Sequence, residues 1–390
     1  MTRGSHDADA PDPRSPRPLP GIRLEEEPMD VGDPVDFLTN LPGLLGYYPD
    51  ESLVLVFGDR EFGEPGPLLV RELDGNEEDA VAVAAEEMAL EGHGWADAYV
   101  ISERWPAELR DGGTRFAGIA PELARAGIDV GVFAGVARLR AGAEVVDSDG
   151  RSLGPLGEPS ASWASRKLHG TGEAIAANAD AMRERFRPEP AGCRIGAGEA
   201  LRAAHEDVRG VRRAGGLPGA KAMTRVRQFH LEWLELIDAV DRGDICVEEA
   251  LTDPGHLRTL ARPLASLLLR DLTMCEILGP AGETARAMWL GCARLFRGTA
   301  RANALACYAI DRQVHGNPGI ARAALDAALE TDPEHSLSQL LFAAMASGRG
   351  EEALRSMLRA TSAILDEVHP ADPGDGDGPV SRRMRGTGPS

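Results

Sequence analysis

The chain has 390 residues, of which 43% are hydrophobic, and this is enough to bury the cores of about two domains. Its 62 acidic and 42 basic side chains give a formal charge of −20, which opposes broad attachment to nucleic acid or to an anionic membrane. No apolar stretch approaches the length of about 18 residues that spans a bilayer, and the N-terminus lacks the apolar region of a secretory signal. We therefore expect a cytoplasmic protein.

The cysteines and histidines do not predict a metal site. The five cysteines include no Cys-x-x-Cys pair, and their odd number argues against a disulfide framework and favours a reducing compartment. No two of the nine histidines stand four residues apart, which is the spacing that places two ligands on one helical face. The sequence therefore predicts neither a metal ion nor a cofactor.

The two ends of the chain differ in composition from its middle. Residues 1–33 and 369–390 are rich in proline, glycine and charged side chains, and they contain almost no apolar run. Such segments are typical of disordered tails, because they cannot bury enough surface to offset the entropy lost on folding. Between them we predict an α/β domain over residues 34–160 and a helical domain over residues 161–368.

One stretch, Asn40–Arg60, organises the first domain. Its Leu53–Phe57 is a run of five apolar residues, typical of a strand that is covered on both faces. Before this strand we expect no helix, because four helix-breaking residues stand close together: Pro42, Gly43, Gly46 and Pro49. Leu44–Tyr48 then forms either a tight lead-in whose Leu45 belongs to the core or a recognition loop that exposes Tyr47 and Tyr48 to a partner.

The same stretch carries a resemblance. The Leu-Leu-Gly-Tyr beginning at Leu44, followed by Pro49 and by Asp-Glu-Ser-Leu-Val up to Val54, resembles the opening signature of the domain of unknown function 4192. The likeness extends from about Asp33 to Leu365. It implies an α/β part followed by a helical part, and the family offers no established activity, cofactor or catalytic residue to carry over.

The rest of the first domain alternates strands with short helices. Apolar runs bounded by turn residues predict strands at 67–73, 95–102, 129–139 and 144–146, and amphipathic patterns predict helices at 77–91 and 121–126. This order favours an α/β domain with a mixed sheet.

From about residue 161 onward the pattern is helical. We predict helices at 173–186, 198–213, 225–240, 256–278 with a kink or break at Pro263, 282–296 and 299–314. The last of these and the segment after it place small residues at the spacing of a tetratricopeptide-type repeat of about 34 residues, with a weaker second unit behind it. Since such a stack needs about three units, we interpret the spacing as similarity in local packing within an antiparallel helix bundle, and a peptide-binding stack is the alternative.

No motif for catalysis or phosphate binding is present. The glycine-rich segments lack the preceding strand and the spacing of a nucleotide-binding loop, and there is no Gly-x-Ser-x-Gly elbow. A small-molecule site in an open sheet lies at the carboxyl ends of the strands. The candidates there are Asp59, Arg60, Asp74, Glu103, Arg104 and Trp105, although charged residues at strand ends are more often simply part of a solvated rim.

The sequence thus favours a non-catalytic interaction or regulatory module that binds another protein. The alternative is a small-molecule enzyme with its site at the strand ends. Several carboxylates with shifted pKa values in one cleft would favour the enzyme.

Overall fold

The structure is a computed structural model, and it describes residues 32–59, 65–105, 116–194, 196–209, 211, 219–347 and 349–369. Within these residues, a mixed six-stranded sheet occupies the N-terminal half, and most of the fifteen α-helices lie in the C-terminal half. No helix of this part of the chain is both long and apolar enough to cross a membrane.

The first element is a helix where the sequence predicted none. Helix α1 spans Pro34–Leu45 and contains both Pro42 and Gly43. Asp33 caps its start by accepting a hydrogen bond of 2.9 Å from the Val35 backbone N–H. Gly46, at φ 78°, ends it by donating its N–H to the Pro42 carbonyl. The prediction was wrong because the burial of a whole apolar face, from Phe37 to Leu45, outweighs the two helix-breaking residues in the last turn.

The sheet has the strand order β2-β1-β3-β4-β5-β6. Its strands are β1 Ser52–Asp59, β2 Pro65–Glu72, β3 His93–Ile101, β4 Asp129–Val136, β5 Glu144–Asp147 and β6 Ser152–Pro155. The pairing of β3 with β4 is parallel, and the other pairings are antiparallel. The sequence did not predict β6, since Ser-Leu-Gly-Pro has neither alternation nor β-branched residues; pairing with β5 decides its conformation.

Helices cover both faces of β1. Leu53, Leu55 and Phe57 point into a core shared with α2 (Glu77–Leu90) and α3 (Ile119–Arg125). Val54 and Val56 point to the other face, where α1 packs. The continuous apolar run of β1 is therefore explained by burial on both faces.

The C-terminal half is helical. Its helices are α4 Trp163–Gly170, α5 Ala179–Arg185, α6 Ala197–Asp207, α7 Ala220–Asp241, α8 Val247–Ala250, α9 Pro254–Leu264, α10 Leu267–Thr273, α11 Gly282–Leu295, α12 Gly298–Val314, α13 Pro318–Thr331, α14 Ser336–Ala346 and α15 Gly350–Val368. Helix α12 is the centre of this half, since every residue from Ala300 to Arg312 is buried.

Two helix predictions here need correction. The segment 173–178 is not helical, because Ala176 forms a β-bridge with Tyr47 and Asn178 caps α5 by accepting from the Ala181 N–H at 2.8 Å. The segment 256–278 is divided into α9, α10 and a 3₁₀ turn, and Pro263 lies in the last turn of α9, one residue before its end. The break itself comes after Leu264, where Ser266 caps α10.

Candidate functional site

The strand directions separate the residues predicted at the strand ends. Because β1 is antiparallel to β3, Asp59 lies at the end of the sheet where β3 begins, opposite His93. Glu103, Arg104 and Trp105 follow β3 at the other end. Asp74 follows β2 at that same end, since the Leu73 N–H donates to the Glu51 carbonyl. Arg60 lies outside the described residues.

Glu51, which the sequence analysis did not identify, lies at the end of the sheet where β3 ends and bonds to two residues there. Its backbone has a φ of 41°, in the left-handed region that non-glycine residues rarely adopt. Its carboxylate accepts hydrogen bonds from the Ser102 hydroxyl at 3.0 Å and from the Arg104 guanidinium at 2.7 Å. Partial burial opposes ionisation, but these bonds keep the pKa of Glu51 below its usual range.

The other predicted residues at this end of the sheet have partners of their own. Glu103 forms an ion pair of 2.6 Å with Arg138, and Asp74 accepts a hydrogen bond of 3.0 Å from the Asn76 N–H in the turn before α2. Trp105 is 1% exposed and donates its indole N–H to the Val146 carbonyl at 3.3 Å. The predicted residues at this end of the sheet therefore all have partners within the protein.

Tyr47 and Tyr48 are half-buried where the two halves of the protein meet. Tyr47 packs against the cores of both halves. On either side of it, Ala176 donates to the Gly46 carbonyl at 2.8 Å and accepts from the Tyr48 N–H at 3.1 Å. Burial raises the pKa of Tyr47 and of Tyr48. The two tyrosines therefore lie at an internal junction.

A buried group of charges lies on the helical side of that junction. Glu173, 10% exposed, accepts from Arg312 at 3.0 Å and from the Tyr308 hydroxyl at 3.3 Å, and it forms an ion pair of 2.7 Å with Arg185. Arg312 and Asp311 are adjacent in α12, fully buried and paired with each other. Burial raises the pKa of Asp311 even though Arg312 opposes this shift. No periodicity in the sequence indicates this network, because Glu173 lies 139 residues away from Arg312 along the chain.

A cleft of about 320 Å³ opens in the helical half. It lies between α6, the turn that joins α9 to α10, and the start of α12. Its walls are largely apolar, and five polar side chains reach it. The lining residues are Leu201, His205, Leu264, Ala265, Ser266, Leu267, Arg297, Thr299, Ala300 and Asn303. Concave sites of this size and character are where proteins bind small ligands or the side chains of a partner.

The buried thiols are unsuited to nucleophilic chemistry. Burial raises the pKa of Cys275 and of Cys307 to about 12, and it raises the pKa of Cys292 as well. A cysteine attacks as its thiolate, which is scarce at neutral pH when the pKa is this high. Among the described residues, no group of three or more histidine, cysteine or acidic side chains is placed to hold a metal ion.

The comparison with protein families identifies one family. A family model described as a domain of unknown function, DUF4192, matches residues 34–352, which is most of the chain. The chain belongs to the DUF4192 family. The DUF4192 match begins at the first residue of α1 and includes Glu51 with its partners, the buried charges and the cleft. No curated protein and no solved structure matches the chain.

Proposed function

We propose that this DUF4192 protein is a non-catalytic interaction module that binds another protein through the outer face of α14. The observation that carries the proposal is the composition of this helix. The sequence Ser-Leu-Ser-Gln-Leu-Leu-Phe-Ala-Ala-Met-Ala contains no charged residue, yet only Ser338 and Leu341 are buried. In a chain of charge −20, a helix without charged residues, of which nine residues are exposed or half-buried, is what an interface presents.

The exposed apolar atoms of α14 lie together on one face. Leu340 is 70% exposed, and Ala343, three residues later, is exposed as well. Leu337 and Ala344, three residues before and four residues after Leu340, are half-buried beside it. This face offers a partner a narrow apolar strip of the kind into which an amphipathic helix packs.

The arrangement of the helices around α14 supports the proposal that its outer face binds another protein. Helices α12 and α13, and then α14 and α15, follow each other as two helix pairs, and α14 contacts both α13 and α15. We propose that these pairs act as a short tetratricopeptide-like stack. In such stacks each pair contacts its neighbours and leaves one face for binding.

The proposed location is the cytoplasm. It is supported by Cys246, Cys275, Cys292 and Cys307, which are all free thiols. The alternative, an enzyme with its site at the strand ends, is less favoured, because the carboxylates found there already bind neighbouring protein groups.

Site-specific cross-linking tests the proposal. A photoreactive amino acid is placed at Leu340 of the full chain in the native host, and at Val83 as a matched control. Val83 is 60% exposed in the middle of α2, in the other half of the protein. We expect one discrete cross-linked protein from position 340 and none from position 83. Equal products from both positions, or none from 340, would contradict the proposal.

A charge substitution at the same two positions provides the second measurement. Leu340→Glu should abolish co-purification of the cross-linked protein, because a carboxylate cannot be buried in an apolar interface without a large desolvation cost. Val83→Glu should leave co-purification unchanged. Both variants should melt within about two degrees of the wild type, since surface substitutions usually change stability little.

A further inference from the structure

His335 caps the start of α14 from a buried position. It is the N-cap residue of this helix, and it is 6% exposed. Its Nδ1 atom lies 3.4 Å from the Ser338 backbone nitrogen and 2.7 Å from the Ser338 hydroxyl oxygen. Ser338 is fully buried, so its backbone N–H depends on this nitrogen for an acceptor. The first turn of α14 is therefore held by one side of an imidazole ring.

The other side of the ring determines which nitrogen carries the hydrogen. The Nε2 atom of His335 lies 3.0 Å from Oδ1 of Asn303 in α12. The same oxygen accepts a hydrogen bond of 2.8 Å from Arg270, whose guanidinium can only donate. The Asn303 amide nitrogen faces the other way and donates to the Leu264 carbonyl at 3.0 Å. Nε2 of His335 must therefore donate, which leaves Nδ1 of the neutral ring as the acceptor for α14.

Protonation of His335 removes this acceptor. An imidazolium donates from both nitrogens, so Nδ1 can no longer accept from the Ser338 N–H. The Ser338 hydroxyl can rotate to accept the new hydrogen, but the buried N–H loses its acceptor, and this is costly. The new charge also lies at the N-terminal end of a helix, where the partial charge of the backbone is positive. Both effects oppose the packing of α14 when His335 is protonated.

The charges around His335 come from two neighbouring elements. Arg270 of α10 is buried and paired with Asp271 at 2.8 Å, and Asp332 at the end of α13 accepts a hydrogen bond of 2.8 Å from Thr299. Helix α12 faces the ring with a neutral amide, and α14 has no charged residue. Burial, together with the charge of Arg270, lowers the pKa of His335, and Asp332 opposes this shift.

We infer that His335 is a pH switch: its neutral form holds the start of α14 in place, and its protonated form releases this helix. An opened α14 leaves the histidine with its ordinary pKa of about 6.5, so the packed helix is stabilised above this pH and loses that stability as the pH falls below it. The opened population should then rise by up to about tenfold per pH unit. The consequence for partner binding, which is loss of the α14 surface in acid, rests on the proposed function.

Hydrogen exchange of the full chain, without a partner, tests this inference. The amides of residues 336–346 are followed by mass spectrometry at pH 7, 6 and 5, and each rate is corrected for the intrinsic effect of pH on exchange. We expect the protection of α14 to fall by about threefold or more between pH 7 and pH 5. Equal protection at the three pH values would overturn the inference.

Two histidine variants locate the switch. His335→Asn keeps a capping oxygen that cannot be protonated, so the protection of α14 should no longer depend on pH. His205→Asn is the matched control, since this histidine is exposed on α6, and it should retain the dependence of the wild type. A dependence that persists in His335→Asn would overturn the inference, and so would its loss in the control.

Should His335→Asn fail to fold, NMR of the wild type with labelled histidine decides. We expect the His335 ring to carry its hydrogen on Nε2 at neutral pH and to titrate below pH 6.5. A hydrogen on Nδ1, or titration at pH 6.5 or above, would overturn the inference. Because no partner is present in these measurements, they are unaffected if α14 is not an interface, and their failure leaves the cross-linking result at Leu340 unchanged.

Discussion

The Asn40 side chain in α1 binds the start of α4. Its Oδ1 accepts a hydrogen bond of 3.0 Å from the backbone N–H of Ala164. Beside this bond, Gly43 lies so close to α4 that a Cβ atom placed on it would be 2.3 Å from the Ser165 backbone nitrogen. Helix α1 covers the sheet and α4 begins the helical half, so the two halves meet here at backbone contact.

The first prediction concerns Gly43. Gly43→Ala should destabilise the protein by about 1–3 kcal/mol or more, because the added methyl group collides with the α4 backbone, which cannot rotate away as a side chain can. Gly198→Ala is the matched control. Gly198 is also helical, and a Cβ atom there would meet nothing within 4 Å, so we expect a gain of about 0.5–1 kcal/mol. Urea unfolding of both variants measures the difference, and equal effects would contradict the close approach.

The second prediction concerns Leu45, at the end of α1. Its side chain is 7% exposed and belongs to the core under β1, so Leu45→Ala should cost about 2–5 kcal/mol. Leu90→Ala, at a position that is 89% exposed, should change stability by less than about 0.5 kcal/mol. Thermal melts of the two variants decide between the core role and a recognition loop, since a recognition residue would melt like the wild type.

The third prediction concerns the buried charges. Arg312→Met leaves Asp311 and Glu173 without their shared cation, and we expect a loss of about 3–5 kcal/mol. Arg355→Met removes an exposed ion pair with Glu351 and should cost about 0–1 kcal/mol. Denaturant unfolding at pH 7 compares the two. A loss below about 1 kcal/mol for Arg312→Met would show that water reaches Asp311.

The fourth prediction concerns pH. His369 lies 2.9 Å from the ring of His230, and its burial, together with the charge of Arg227, lowers its pKa to about 4. In the unfolded chain a histidine has a pKa of about 6.5. Between pH 6.5 and 4 the unfolded state therefore binds more protons, so the contribution of neutral His369 to stability is complete above pH 6.5 and is lost as the pH falls towards 4.

His369→Gln should remove this dependence. The unfolding free energy of the wild type should fall relative to that of the variant by up to about 1.4 kcal/mol per pH unit below pH 6.5. Urea titrations at pH 7, 6, 5 and 4.5 measure the two slopes. Parallel slopes would show that the pKa of His369 is the same in the folded and the unfolded protein.

The spacing of apolar residues was sufficient to predict an element wherever no helix-breaking residue opposed it. The apolar run of β1 predicted burial on both faces, and α7 follows from the three- and four-residue spacing of Val226, Phe229 and Trp233. The mixed sheet also follows from the alternation of strands with helices. Each of these predictions used the spacing of apolar residues along the chain, which the order of amino acids specifies directly.

Where helix-breaking residues stand within an apolar pattern, tertiary packing determines the secondary structure. Pro42 and Gly43 predicted a break, but the closely approaching backbone of α4 requires a residue without a side chain at Gly43, and burial of Leu41 and Leu45 keeps the segment helical. Pairing with Tyr47 likewise holds Ala176 out of a helix. The helix-propensity penalty is about 1 kcal/mol for glycine and about 3 kcal/mol for proline, and the burial of several large side chains, at about 1.5–3 kcal/mol each, exceeds it.

The candidate sites show the same division. The sequence by itself determined the α/β-then-helical order, the acidic charge and the composition of α14, since these depend on residue type and local spacing. Only the tertiary structure placed Asp59 at the opposite end of the sheet from Glu103, because strand direction depends on pairing. Only the tertiary structure brought Arg297 and Asn303 to one cleft with His205, nearly a hundred residues earlier in the chain. Contacts between segments that are distant in sequence leave no periodic pattern, so they cannot be predicted from local spacing.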